Sequence, residues 1–391
     1  MKHHLIPWLV AGGLIAGAPA HAADPPVMVA GIDTKFWFDD AGGRVSRPDT
    51  GDLVQFYDVS DGARPRLIGA LPLTNSVVGP PTNLAVAPDG RLALVASSIV
   101  TEKGADGVWS SKPDNRLWVV ALGEGTPRLA ATLTVGAQPS GIAISPDGRT
   151  ALVANRAGKS ISVLSIQGPD VSVTDTLALD EVPVSVAFLP DGKRALVASF
   201  SGHRVLVLDV ADGHARRTSL ALPVGLWPYS VAVTPDGRHG LVGITGNQAT
   251  SDGSLDPVVV LDLKADPPRT VDYVTAGDAV EGLVASPDGR HAAATILPGS
   301  LDAPKGAWYR HEAGSVALLT IDGNRVALAG RTEVGAFPEG IAFSPDGRFV
   351  YAGNFASNSI SVLKLDGDGL VDTHADIRLP GPPAALRIGS Q

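Results

Sequence analysis

The stretch PSGIAISPDGRTALVANRAGKSISVLSI, residues 139–166, holds three short apolar runs separated by two turn signals. GIAIS and TALVA flank Pro146-Asp147-Gly148, ISVLSI follows, and VSVTDTLAL (171–179) adds a fourth run. Short runs rich in β-branched residues and bounded by Gly, Pro, Asn and Ser read as strands. Proline presets φ for the first central position of a tight turn, Asp suits the next, and Gly supplies the left-handed conformation that closes the hairpin. The spacing therefore predicts four antiparallel strands, with the PDG turn between the first and second.

SPDGR recurs at 286–290 and 344–348, with APDGR at 87–91, LPDGK at 189–193 and TPDGR at 234–238. The prolines of these turns (Pro88, Pro146, Pro190, Pro235, Pro287 and Pro345) stand 44 to 58 residues apart. A four-stranded unit repeating at this period describes a propeller blade. The repeated pentapeptide is thus scaffolding, and Gly90, Gly148, Gly192, Gly237, Gly289 and Gly347 are expected at positive φ.

A seventh set of strands, VMVAGID (27–33), LVQFYDV (53–59) and RLIGALPL (66–73), precedes the first PDG turn and lacks an innermost strand. GPPAALRIG (381–389) resembles GPPTNLAVA (79–87), which leads into the first PDG turn. The C-terminal segment is expected to complete the N-terminal blade, closing a ring of seven and removing open sheet edges. The fold class is all-β, a seven-bladed β-propeller of four-stranded antiparallel blades, occupying residues 23–391 as one domain.

LVAN (152–155) and YAGN (351–354), each followed by SISVL, resemble the YVTN-type β-propeller repeat, a family that overlaps the lactonase-like seven-bladed propellers. The resemblance spans nearly the whole mature chain, but its motifs are structural. The regularity of the repeat and the lack of a compact catalytic motif favour a non-catalytic propeller that binds a small ligand or a protein partner on its loop face; the resemblance implies the alternative, a hydrolase or isomerase whose site uses His, Glu and Arg on that face. No catalytic residue carries over, because the lactonase-like motif does not align here residue by residue. Quinoprotein and haem-d1 propellers have related blades, but this sequence does not visibly supply the groups their cofactors need.

Composition narrows the setting. Lys2, the apolar run 5–18 and Ala20-His21-Ala22 fit a secretory signal peptide over residues 1–22, so the mature chain is expected to be periplasmic or secreted. No later apolar run is long enough for a transmembrane helix. The absence of cysteine excludes a thiol nucleophile, a zinc–thiolate site and a covalently attached c-type haem. A net charge of −9 argues against a nucleic-acid partner, leaving a small molecule or a periplasmic protein.

Strand order places all the long insertions (34–51, 99–115, 246–256 and 297–313) on the face opposite the PDG turns. Elaborated loops on a rigid scaffold are where function is expected. Most blade-to-blade crossings on that face end in proline, and the next residues should ring the channel mouth: Thr82, Ser140, Val184, Tyr229, Glu281, Glu339 and Ala384. Glutamate occurs twice, on adjacent blades, and Val280 replaces proline before one of them. The 297–313 insertion brings Trp308, Tyr309, Arg310, His311 and Glu312 to the same sector. Two close carboxylates beside histidine and arginine suit either a hydrated divalent cation or acid–base work, for which Glu281, Glu339 and His311 are the candidates. Tyr229, Trp308, Tyr309 and Arg310 complete the expected ligand-binding set. His239 and His291, which follow PDGR turns, are expected on the surface of the opposite face.

Overall fold

The computed structural model describes Met1 and residues 25–389, apart from 49, 77, 124 and 249. The export signal expected at 1–22 lies outside the described residues except for Met1. The rest forms seven four-stranded antiparallel sheets arranged as a β-propeller. In blade 3 the strands are Pro139–Ile144, Thr150–Asn155, Ser160–Gln167 and Asp170–Ala178, hydrogen-bonded in that order from the channel outward.

Burial follows position in the blade. Thr150–Asn155 is buried on both faces after its first residue, because neighbouring blades cover both sides. The outermost strand Asp170–Ala178 is mostly exposed, buried fully only at Val171. The core consists of inter-blade layers; one joins Leu94 and Leu117 of blade 2 to Ile142 and Val153 of blade 3.

The ring closes as the sequence predicts. Pro383–Ile388 pairs antiparallel with Val27–Ile32, which pairs with Leu53–Asp58, so strands from the two ends of the chain share blade 1. Ala384, Ala385, Leu386 and Ile388 are at most 2% exposed.

The PDG turns are uniform. Their six glycines have φ between 65° and 71°. In blade 3, Asp147 Oδ1 accepts from Ser145 Oγ at 2.6 Å and from the Arg149 amide at 3.0 Å, satisfying the turn locally. The Asn of LVAN and YAGN is structural too. Asn155 Nδ2 donates to Ser160 Oγ and Ser162 Oγ, both at 3.0 Å, and Asn354 does the same with Ser359 and Ser361. The motif is a clamp between a blade's second and third strands.

His239 and His291 depart from expectation: they are 2% and 6% exposed. His239 Nε2 lies 2.8 Å from Gly323 O, and His291 Nε2 lies 3.1 Å from Asp368 Oδ1. Each imidazole is covered by an outer turn of the next blade, a contact between segments more than 75 residues apart that local sequence does not reveal.

Candidate functional site at the channel mouth

On the loop face, the innermost strands share an irregularity at their first residues. Pairing of Pro139 with Asn155 jumps to Ile142 with Val153, so two inner residues oppose one. Equivalent shifts follow Pro183, Pro228, Val280 and Pro338. Such bulges re-aim side chains, and the residues they contain are those at the ring position: Ser140, Val184, Tyr229, Glu281 and Glu339. Before four of them the backbone enters the left-handed region at a non-glycine residue: Gln138 (φ 58°), Trp227 (59°), Ala279 (52°) and Phe337 (53°). This conformation is uncommon outside glycine and has to be held by its surroundings.

Tyr229, Glu281 and Glu339 are 5%, 3% and 4% exposed. Glu281 and Glu339 each carry a buried Oε2 with no hydrogen-bond partner among the described residues, as do the Thr82 and Ser140 hydroxyls and both polar atoms of the Asn83 side chain. The two glutamate strands are joined through Thr295, whose Oγ1 donates to Glu339 O at 2.9 Å and accepts from the Gly282 amide at 2.7 Å.

Electrostatics bring these residues into one field. Burial pushes the Glu281 carboxyl well above the usual range; Asp302 raises it further, and Arg156 opposes the rise. The Glu339 carboxyl is also pushed well up, first by burial and then by Glu281, Asp302 and Asp33. Tyr229 is raised by burial and by both glutamates, against Arg156 and Arg44, which keeps the phenol a neutral donor. A protonated carboxyl beside a more readily ionised one is the pairing that acid–base chemistry requires.

The mouth is roofed by part of the 34–51 insertion, which folds as a hairpin of Phe36–Phe38 and Arg44–Ser46. Its aromatics lie against blade 7: Phe36 stacks on Phe355 at 5.1 Å, and Phe38 meets Phe337 at 4.9 Å. The tip reaches blade 6, where the Lys305 amide donates to Asp40 O at 2.8 Å, and the base reaches blade 2, where Ser46 Oγ lies 2.8 Å from Ser111 Oγ. Lys35, fully buried at the root of the hairpin, is paired with Asp33 at 2.8 Å and with Asp52. Burial and the neighbouring Asp33 raise the Asp52 pKa to about 6 although Lys35 lowers it. Arg44 lies 5.7 Å over the Phe36 ring, and Arg156 lies 5.0 Å over Phe200.

The 99–115 insertion is a strand extension, the long hairpin Leu92–Lys103 and Trp109–Ala121. The 297–313 insertion turns its predicted aromatic and imidazole groups outward. Trp308 is 81% exposed, His311 and Glu312 are exposed, and Tyr309 and Arg310 are partly buried. Arg310 Nη1 donates to Ala303 O at 2.6 Å. The segment reaches the glutamates through Asp302 instead, a residue that the sequence reading does not single out. Its Oδ2 accepts from the Ser251 amide at 2.6 Å, and its Oδ1 is buried with no hydrogen-bond partner among the described residues.

Arg44 and Arg156 are the other members that sequence reasoning missed. The FWF run at 36–38 was the available signal, since three adjacent aromatics stand out in a chain that is 5% aromatic. Among the described residues no group of three His, Asp or Glu side chains could hold a metal ion.

No protein-family model and no curated relative matches the sequence. Solved structures match over almost the whole chain. A candidate 6-phosphogluconolactonase of Bacteroides fragilis superposes with a TM-score of 0.70 at 17% identity, covering 95% of this chain and 99% of that one. A second, from Bacteroides uniformis, gives 0.67 at 20% identity, covering 93% and 99%. The periplasmic gluconolactonase of Pseudomonas aeruginosa gives 0.62 at 20% identity, also covering 93% and 99%. At these identities the likeness establishes the fold.

Proposed function

We propose that this propeller hydrolyses a lactone of a small sugar acid at the loop-face mouth, with Glu281 and Glu339 as the acid–base pair. The observation that carries the reading is the pair itself: two buried carboxyls on adjacent blades, each with an unpartnered oxygen and a raised pKa. Arg156 favours the ionised form of Glu281, whereas every influence on Glu339 favours the neutral form. Glu281 then acts as the base and Glu339 as the acid.

In this reading Glu281 takes a proton from water as the water oxygen bonds to the lactone carbonyl carbon. The tetrahedral oxyanion is held by Tyr229 O–H and by the arginines 44 and 156. The ring C–O bond then breaks, Glu339 gives its proton to the departing oxygen, and an open hydroxy acid leaves. Solvent exchange returns the two carboxyls to their starting states. The names of the structural neighbours support this substrate class. A signal peptide at 1–22 would put the reaction in the periplasm or outside the cell.

A non-catalytic binding role is the second reading, favoured by the roof of aromatics at 36–38, which is packed on blade 7 rather than held open. The discriminating experiment follows acid release from glucono-δ-lactone, 6-phosphogluconolactone and simple aliphatic lactones, with and without added divalent cations. The proposal expects enzyme-dependent opening of at least one sugar lactone above the spontaneous rate. Binding of these lactones with no acceleration would replace it with the second reading.

A further inference from the structure

At the PDG end of the same channel, the residue four positions beyond each crossing proline, or beyond Val280 where proline is replaced, is Ala85, Ala143, Ala187, Ala232, Val284 or Ala342 in six blades and Arg387 in the blade closed by the C-terminus. Four of these alanines and Arg387 line one cavity of 320 Å³, rimmed by prolines of the PDG turns. The cavity lies about 10 Å along the strands from the ring of Glu281 and Glu339, three residues at the usual strand rise.

Arg387 differs from the PDG-turn arginines. The exposed PDG-turn arginines 290 and 348 pair with the aspartates of their own turns at 2.8 and 2.6 Å. Arg387 has no carboxylate partner among the described residues, and its Nη1 donates only to main-chain carbonyls, Leu386 O at 3.2 Å and Ile341 O at 3.5 Å. The side chain is partly buried where it lines the cavity, and burial alone brings its pKa down to about 10. A guanidinium has five donors in a planar fork suited to a carboxylate, and an uncompensated charge withdrawn from water is costly. An anion on that fork would offset the cost.

We propose that Arg387 makes the PDG end of the channel a binding site for a small monocarboxylate, with its carboxylate on the guanidinium and its short alkyl chain along the alanine wall. One fixed cation amid apolar surface matches a single negative charge with an apolar body better than a dianion. The site is separate from the loop-face mouth and does not depend on the hydrolase reading.

The test is titration of the full-length mature protein with butyrate, butyramide, acetate and inorganic phosphate by calorimetry and ligand-observed NMR. Butyrate should bind more tightly than acetate, and neutral butyramide should not bind. Arg387→Leu should weaken butyrate by about tenfold or more, as loss of a charge-assisted contact implies. Arg387→Gln, closer in shape, serves as a second variant should Leu fail to fold. Equal binding of butyrate and butyramide, tighter binding of phosphate, absence of butyrate binding, or a folded variant that binds butyrate like the parent would each overturn the proposal.

Discussion

Six turns on one face of the ring share one glycine conformation and nearly one sequence, whereas on the other face the four-residue turns of blades 3, 4 and 7 stand beside insertions of differing length and shape in the other four blades. On the regular face, each turn glycine from blade 3 to blade 7 lies against the turn proline of the preceding blade, as Gly148 does against Pro88. On the irregular face, the 34–51 connection becomes an aromatic hairpin, the 99–115 connection extends two strands, and 297–313 is a chain of turns. Identical residues repeat where six blades face the same packing problem. The repeat is broken at two places along the channel: glutamate replaces a neutral residue at the mouth, and arginine replaces alanine further down.

The comparison can be broken from the scaffold side first. Deleting residues 383–391 removes the innermost strand of blade 1 and the buried Ala384, Ala385, Leu386 and Ile388. Burial of those side chains amounts to on the order of 5 kcal/mol, comparable with the whole stability of many domains. The truncated protein should lose its cooperative melting transition; melting like the full chain would refute closure as a stabilising feature.

A smaller effect is expected at a single turn. Gly148→Val forces a β-branched residue to φ 71° and should cost about 1–2 kcal/mol, read as a lower melting temperature. Because the turn is on the PDG face, lactone turnover by the folded variant should be unchanged. Unchanged stability would contradict the assignment of the turn glycines to scaffolding.

The smallest effect concerns the acidic loops. Asp256 is 6% exposed, and burial with Asp278 and Asp252 nearby raises its pKa to about 6 although the Ala279 amide donates to it. The folded state therefore holds this proton more tightly than the unfolded chain. Its stabilising contribution is complete below about pH 4 and is lost as pH rises through about 6. Asp256→Asn should match the parent below about pH 4 and be the more stable of the two at about pH 8. Equal stability at both pH values would show that the charge is not strained.

The ring, its closure and the PDG turns were legible because each rests on a local signal repeated at a fixed period. The ring position was legible as well, since proline marks where most inner strands begin, and it drew Tyr229, Glu281 and Glu339 from one alignment. What could not be read was convergence. Nothing local shows that Arg44 on one insertion and Asp302 on another influence residues of the same mouth, or that His311 faces outward while His239 is covered by a neighbouring blade. Those outcomes depend on how insertions from different blades lie over one another, which strand periodicity does not encode.

The most direct test of the account compares initial rates of sugar-lactone opening, on whichever lactone the screen identifies, for the parent, Glu281→Gln, Glu339→Gln and Gly148→Val, each first shown to be folded. Removing one member of a general acid–base pair should slow the reaction by about 10²–10⁴, so both glutamine variants should fall by that factor while Gly148→Val keeps the parent rate. Glutamine variants that turn over the lactone at the parent rate would contradict the central claim that the irregular face does chemistry through this carboxylate pair.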